Sequence, residues 1–329
     1  MSEVPAIRSA GGPPALQIVI VNWNTGDELR RCIASIREAA REGVALESVT
    51  IVDNASTDGS CDGLEAAGVP VRLVRNTDNR GFAAACNQGA RLSGSAYLLF
   101  LNPDTQLRAD SLRVPLAYMD DPAHAHVGIC GIRLLTESGQ PATSGARYPS
   151  LRVFLGQVTG LTRVLPSVFP RHLMDADECA ARGVVDQVIG AYFLIRRPLF
   201  DTLGGFDERF FVYFEEVDLS LRAAQRGFVS FCLGTVSAQH IGGHSSNQVR
   251  ALRLFYSLRS RLLYAGKHFR PASRLGLVAL TFLIELPARL LRAVLGGSLP
   301  EAAETVRAYR LLLREGWDLR VPPSHSGLP

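Results

Sequence analysis

The sequence predicts an α/β fold built on a mainly parallel sheet, and three features near its N-terminus predict it. Residues 16–21 form a short apolar run rich in β-branched side chains, which is typical of a strand buried on both faces. A helical pattern opens after Gly26 and Asp27, with its apolar residues on one side: Leu29, Cys32, Ile33 and Ile36. A second apolar strand follows at residues 49–52. Because a strand, a helix and a strand in succession favour a right-handed crossover, we expect the two strands to be parallel.

Polar residues follow each predicted strand at its carboxyl end. The first two strands end in residues 22–24 and 53–60, which read NWN and DNASTDGS. The next two, predicted at residues 71–75 and 96–101, lead to segments that read NRGF and NPDT. In open α/β sheets ligands bind beyond the carboxyl ends of the strands, so the sequence predicts a binding site at this edge.

The type of ligand follows from a missing motif and a carboxylate. No GxGxxG segment follows the first strand and the chain contains no GxxxxGK[ST], which disfavours a dinucleotide site and a P-loop. A diphosphate would then need a cation to neutralise it. Asp104, held by Pro103 at the end of a buried strand, is suited to a divalent cation, because hard cations favour oxygen ligands. The alternative is a Pro-Asp turn that caps the next helix.

The stretch from Gly190 to Arg222 carries the candidate catalytic group. An apolar run and a set of aromatic residues precede three acids within four residues: Glu215, Glu216 and Asp218. A carboxylate set against apolar surface has a raised pKa, as a proton acceptor working near neutral pH requires. The alternative is an acidic first turn, which stabilises a helix N-terminus.

Composition predicts a globular protein in a reducing compartment. Of the 329 residues, 47% are hydrophobic and 20% are charged, which allows one large core or two modest ones. The six cysteines show no CxxC spacing, as expected of reduced thiols in the cytosol. Residues 1–14 lack the pattern of a signal peptide, and we expect a disordered leader.

The C-terminal region is basic and partly apolar. After residue 245 there are thirteen Arg or Lys against five Asp or Glu, whereas the whole chain has 35 against 31. An apolar run at residues 275–286 is interrupted by charged residues and a proline before it reaches the ~20 residues needed to span a bilayer. This pattern fits either an interfacial helix pair at a membrane surface or a helical hairpin packed on the rest of the protein. Nucleic-acid binding is disfavoured, since the positive charges lie among aliphatic runs rather than exposed aromatics.

Six motifs in order resemble glycosyltransferase family 2, especially its bacterial rhamnosyltransferase-like branch. They read VNWNTGDELRRCIASI, IVDNASTDGS, NRGFAAACNQGA, LFLNPDT, GAYFLIRRPLFDTLGGFDERFFVYFEEVDLSLRAAQRG and QHIGGHSS, and the resemblance covers roughly residues 16–260. It implies the GT-A fold, an α/β sandwich around a mainly parallel sheet, and inverting transfer from a nucleotide-diphosphate sugar. We therefore expect a catalytic domain at residues 15–247 and a C-terminal helical region at residues 248–329. Residues 147–157 resemble an acceptor-side segment of this branch.

The resemblance also implies roles for individual residues. Asn22 and Asp53 match positions that contact the base and ribose. The full set that it assigns to the nucleotide sugar is Asn22, Asn24, Asp53, Arg80, Asn87, Asn102, Asp104, Gly190 and Ala191. Asp104 matches the metal-binding acid of the family's DxD-like motif, with Asn102 in place of the first Asp. His240 matches a late histidine that can complete a Mg²⁺ or Mn²⁺ site, with His244 as its neighbour.

Glu216 occupies the place of the family's usual base, where an aspartate is commoner. Because glutamate is one methylene longer, Glu215 or Asp218 could share the task. The expected function is transfer of rhamnose or another hexose, from a donor of the dTDP-rhamnose type, to a lipid-linked or polysaccharide acceptor during synthesis of a cell-surface glycan. We expect the enzyme in the cytoplasm, peripheral at the inner face of the membrane. The alternative is a non-catalytic sugar-nucleotide-binding subunit of an assembly complex.

Overall fold

The computed structural model describes residues 12–41, 43–64, 68–242 and 250–315. The chain divides into two units. The first takes Met1–Arg147, Leu173–Asp207 and Glu216–Ser245, and the second takes Tyr148–His172, Glu208–Glu215 and Ser246–Pro329. Residues 1–11 of the predicted leader lie outside the described part.

The elements alternate between strands and helices along the first two thirds of the chain, and helices follow to its end. The strands are β1 (Ala15–Asn22), β2 (Ala45–Asp53), β3 (Val71–Arg75), β4 (Tyr97–Leu101), β5 (Thr105–Leu107), β6 (Val127–Leu135), β7 (Thr143–Ala146), β8 (Leu173–Asp175), β9 (Val184–Val185), β10 (Gln187–Val188), β11 (Tyr192–Arg196) and β12 (Val229–His240). The helices are α1 (Glu28–Ala39), α2 (Phe82–Ala90), α3 (Arg113–Asp120), α4 (Leu151–Thr159), α5 (Leu161–Val164), α6 (Ala176–Arg182), α7 (Arg197–Thr202), α8 (Glu215–Ala224), α9 (Arg250–His268), α10 (Pro271–Ala279), α11 (Leu286–Leu295) and α12 (Leu299–Glu315). A 3₁₀ turn at Pro122–His124 and a π-helical stretch at Leu280–Glu285 complete them.

The central sheet has the order β3-β2-β1-β4-β11-β6-β12-β5, with β9 paired to β12. Strands β3, β2, β1 and β4 are parallel to one another, and β12 is parallel to β6. The mainly parallel sheet is therefore confirmed. Strand β11 runs antiparallel between β4 and β6, and β5 is antiparallel to the end of β12. This arrangement brings the carboxyl ends of β1, β2, β4 and β12 and the start of β11 to one edge.

Both faces of this sheet are covered, which explains the continuous apolar runs. Residues 16–22 of β1 and all of β4 are buried, and α1 buries the apolar side predicted from its sequence. Aromatic rings pack beside the end of β4: the ring of Phe206 lies 4.9 Å from that of Phe100 and 5.6 Å from that of Phe200. Segments distant in sequence are thus held against the strand that carries the NPDT segment.

The second unit joins the C-terminal helices to two earlier segments. Its core includes Phe154 from α4, Phe211 from the segment before α8, and Tyr256 from α9. The rings of Phe211 and Tyr256 stack at 4.4 Å. The compact units therefore differ from the contiguous boundary predicted at residue 247, because aromatic side chains of the two earlier segments bury themselves with α9.

A buried ion cluster lies within the C-terminal helices. Glu285 accepts hydrogen bonds from Arg261 at 2.6 Å and from Arg289 at 2.8 and 2.9 Å. Although burial opposes it, these guanidinium groups hold the pKa of Glu285 below its ordinary value. The charges that interrupt the apolar run of this region are therefore partly internal. Within the described residues, no helix is both long enough and apolar enough to cross a membrane.

Candidate active site

The tips of β1 and β2 are joined by a buried network of side chains. The Nδ2 group of Asn22 lies 3.1 Å from Asp53 Oδ1 and 2.8 Å from Ser60 Oγ. Asp53 is almost wholly buried, and its Oδ2 lies 3.8 Å from the guanidinium of Arg75. Asn22 therefore orients the carboxylate of Asp53.

The loops after these two strands have an unusual backbone. Asn24 and Ala55 both have positive φ, at 51° and 62°. Asn24 Oδ1 accepts a hydrogen bond from the backbone of Thr57 at 2.8 Å, and its own N–H donates to Ser56 Oγ at 3.0 Å. Asparagine tolerates positive φ better than alanine does, so the residue type indicates this conformation at Asn24 but not at Ala55. Asn24 ties the two loops to one another.

Asp104 and His240 meet at the next part of the same edge. Residue His240 pairs with Thr105 in the sheet, and the N–H of Ile241 donates to the carbonyl of Asp104 at 3.1 Å. His240 Nε2 lies 3.3 Å from Asp104 Oδ1. That oxygen is buried and has no hydrogen-bond partner among the described residues. The late histidine and the NPDT aspartate, far apart in sequence, are therefore neighbours.

This pair fits a divalent cation. Two ligands of one ion, each about 2.1 Å from it, lie roughly 3.0–3.4 Å apart. A buried carboxylate oxygen without a hydrogen bond carries a desolvation cost that a cation would remove. No cluster of three or more His, Cys, Asp or Glu accompanies them in the described part of the chain, so further ligands would come from diphosphate oxygens or water. His244 lies outside the described residues.

Asn102, Gly190 and Ala191 form the backbone of this corner. The carbonyl of Ala191 accepts hydrogen bonds from the N–H of Asn102 at 3.1 Å and from Thr105 Oγ1 at 3.3 Å. A Cβ added to Gly190 would meet no atom within 4 Å. The carbonyl of Ala191, just before β11, therefore fixes the NPDT turn, and the space beside Gly190 is open.

Arg80 and Asn87 are placed differently from each other. Arg80 is exposed between β3 and α2. Asn87 is buried, and its side chain both accepts from the N–H and donates to the carbonyl of Phe206, each at 2.9 Å. Gly205 makes this contact possible, since it has a φ of +75° and a Cβ there would lie 2.5 Å from Asn87 Oδ1. The described geometry of Asn87 is that of a structural clamp.

Glu216 has an environment that suits a proton acceptor. Its Oε2 is buried and lacks a hydrogen-bond partner among the described residues. Burial raises the pKa of the Glu216 carboxyl, and the backbone N–H groups of Glu216 and Val217 offset part of that rise. The residues before the helix, Tyr213 and Phe214, both have a φ of 69°. Such backbone costs about 1–3 kcal/mol per residue and is concentrated at functional sites.

The other two acids of the cluster are more deeply buried. Asp218 is fully buried and accepts a hydrogen bond from Arg222 at 2.8 Å. Arg222 also donates to the carbonyls of Leu203 and Gly205, at 2.7 and 2.8 Å. Glu215, the first residue of α8, is buried as well. Asp218 and Arg222 therefore tie α8 to the Gly205 turn, a role for Arg222 that its sequence position does not signal.

The chain is similar to proteins of known family and known structure. Residues 17–204 match the family described as Glycosyl transferase family 2. An N-acetylglucosaminyl-diphospho-decaprenol L-rhamnosyltransferase of Mycobacterium tuberculosis is 29% identical over 272 residues, which covers 77% of this chain and 85% of that protein. Rhamnosyltransferase WbbL of Escherichia coli is 26% identical over 171 residues, 52% of this chain and 62% of that one.

A solved structure extends the likeness of fold to most of the chain. The mannosyltransferase PcManGT from Pyrobaculum calidifontis, in complex with GDP-Man and Mn²⁺, aligns with a TM-score of 0.54 at 18% identity. The alignment covers 92% of this chain and 81% of that one. Together with the sequence match, this likeness bears out the predicted GT-A fold.

Proposed function

The chain belongs to glycosyltransferase family 2, and on that premise we propose that it is a metal-dependent, inverting enzyme that moves rhamnose or another hexose from a nucleotide-diphosphate sugar to a lipid-linked acceptor. The observation that carries the proposal is the approach of Asp104 Oδ1 to His240 Nε2, 3.3 Å apart, with that carboxylate oxygen buried and unsatisfied. A donor of the dTDP-rhamnose type is favoured by the rhamnosyltransferases among the relatives.

Donor binding is assigned to the edge where the strands end. Asp53, oriented by Asn22, would accept hydrogen bonds from the nucleoside, and the backbone around Asn102 and Ala191 would lie beside the diphosphate. Asp104 and His240 would hold Mg²⁺ or Mn²⁺, and the cation supplies positive charge for the leaving diphosphate. The Mn²⁺ of the mannosyltransferase with the same fold supports this assignment.

Glu216 is proposed as the general base. As the acceptor hydroxyl oxygen forms a bond to the anomeric carbon, the bond from that carbon to the diphosphate oxygen breaks. The hydroxyl proton passes to Glu216, and the nucleoside diphosphate leaves on the opposite face, which inverts the configuration. The raised pKa of Glu216 suits proton acceptance near neutral pH. Asp218, already engaged by Arg222, would position α8.

Nucleoside diphosphate release from a panel of nucleotide sugars tests the proposal. We expect the full-length protein with Mg²⁺ or Mn²⁺ to hydrolyse one donor slowly, and to turn over faster with a polyprenyl-diphosphate-linked N-acetylglucosamine acceptor, the acceptor in the name of the Mycobacterium relative. Asp104→Asn should raise the metal concentration needed for half-maximal release by roughly 10-fold or more. Release that is unchanged by chelation of metal would refute the metal dependence, and retained configuration at the anomeric carbon would refute inversion. Residence at the cytoplasmic face of the membrane, where such an acceptor would be met, is part of the same proposal.

A further inference from the structure

The C-terminal helices carry several large aliphatic side chains that are exposed. Helix α10, the π-helical stretch and α11 follow one another without a break from Pro271 to Leu295, a length of about 37 Å at 1.5 Å per residue. We call this continuous helical segment the rod. Six aliphatic side chains along this rod and at the start of α12 are 60–78% exposed: Leu275, Leu283, Leu291, Val294, Leu295 and Leu299. We name these six the apolar surface.

The apolar surface contrasts with the buried residues of the same helices. The side of the rod packed within the second unit buries Leu277, Leu280 and Glu285. On α11, Leu291, Val294 and Leu295 are three and four residues apart, so they share a face. Clustered exposed aliphatic groups, unlike single ones, mark protein or membrane interaction sites. These helices therefore bury some of their residues within the second unit, and the aliphatic residues of the apolar surface stay largely exposed among the described residues.

Five arginines of the same C-terminal helices have no acidic partner among the described residues. Arg270 and Arg274 are exposed at the start of α10. On α12 a groove of about 430 Å³ is lined by Ala303, Val306, Arg307, Arg310, Leu311 and Arg314. None of these five arginines forms an ion pair with another described residue, whereas Arg289 and Arg292 are paired with glutamates. An anionic partner would neutralise the charge of these five arginines.

We propose that the apolar surface and these arginines dock the second unit on an anionic lipid bilayer, with the rod lying in the plane of the interface. Aliphatic side chains would enter the acyl boundary while the guanidinium groups bind lipid phosphates. A second copy of the chain is a poorer occupant, because a two-fold interface between identical surfaces would bring arginines of like charge together. Docking deepens the membrane residence included in the proposed function. Because flotation requires no glycosyl transfer, the experiment below can fail without any failure of the proposed activity.

Flotation of the full-length protein with liposomes tests this docking. We expect co-flotation with vesicles in which about one lipid in four is phosphatidylglycerol, and little with pure phosphatidylcholine. Leu291→Ser with Leu295→Ser should weaken partitioning about tenfold or more, since each side chain loses its burial in lipid. Arg307→Glu with Arg310→Glu should weaken it roughly fivefold or more, and added salt should do the same.

Matched variants keep the test specific. Val164 and Val184 are also exposed aliphatic residues, and Arg226 is an exposed arginine, all outside the apolar surface. Val164→Ser with Val184→Ser, and Arg226→Glu, should float like the wild-type protein. Flotation by Leu291→Ser with Leu295→Ser at the wild-type level would overturn the proposal, if circular dichroism confirms its fold. A wild-type dimer that this double variant converts to monomer, with no flotation by either protein, would overturn it in favour of self-association.

Discussion

Replacing Glu216 by glutamine should lower activity and change the pH dependence of stability. Burial raises the pKa of the carboxyl in the folded protein above the ordinary 4.5. Below pH 4.5 the group is protonated in both states and costs nothing. As the pH rises towards the folded value, the unfolded chain ionises first, so wild-type stability falls. Because glutamine does not titrate, the stability of the variant does not decline with pH for this reason.

The magnitude follows from linkage. The difference in unfolding free energy between Glu216→Gln and the wild-type protein should rise with pH by up to about 1.4 kcal/mol per pH unit, from pH 4.5 to the folded pKa. A constant cost from the unpaired Gln amide cancels in this slope. Because the base must be ionised, wild-type kcat/KM should fall about tenfold per pH unit below the same pKa, and the variant should lose at least about 100-fold.

Urea unfolding at pH 5, 6 and 7 measures the slope, and release of nucleoside diphosphate measures the rate. Glu137, which is exposed, provides the control, and Glu137→Gln should change neither quantity. Glu216→Asp, with the shorter acid that the family more often carries, should recover part of the activity. Near wild-type turnover by folded Glu216→Gln would refute the role of Glu216. Loss in Glu215→Gln instead would move that role to its neighbour.

Four further substitutions test the site and its scaffold. Asp104→Asn and His240→Gln should each raise the metal concentration for half-maximal turnover by roughly 10-fold or more without lowering the unfolding temperature measured in chelator, and an unchanged metal requirement would contradict the ligand assignment. Asn87→Ala should lose about 1–3 kcal/mol of stability in urea unfolding, because the N–H and carbonyl of Phe206 lose their partners; an activity loss with unchanged stability would instead indicate direct ligand binding. Glu285→Gln should cost about 3–5 kcal/mol at pH 7, since two arginines lose their charged partner. The pKa of Glu285 is lowered, so its contribution is present above the ordinary value and declines as the pH falls through the lowered one, and the deficit of the variant in unfolding free energy should shrink there.

Several features of the site follow from local patterns and could be predicted. The runs of β1 and β4 are apolar because both faces of the sheet are covered, and polar residues such as Asn22, Asp53 and Asp104 mark where the strands end. The acid at position 216 stands out because it follows aromatic residues that must be buried. None of these signals depends on which distant segment packs nearby.

Other features depend on contacts between residues far apart in the chain. An apolar strand reads alike in either direction, so only packing decided that β11 runs antiparallel beside β4. The amide of Asn87 has the same chemistry as a ligand-binding amide, but the main chain of Phe206, 119 residues away, engages it. The backbone strain at Ala55 and Phe214 has no signal in the residue types.

The sequence by itself determined the alternation of strands and helices, the polar residues at the carboxyl ends of the strands and the family, because periodicity and motif chemistry are local properties of the chain. The family resemblance implied that Asp104 and His240 lie together, and the structure gives their 3.3 Å separation. Tertiary structure alone decided that Phe154 and Phe211 join the C-terminal helices, and that Leu291 and Leu295 stay exposed. The physical reason is that burial and unsatisfied charge are properties of neighbours in space, and a linear pattern does not specify those neighbours.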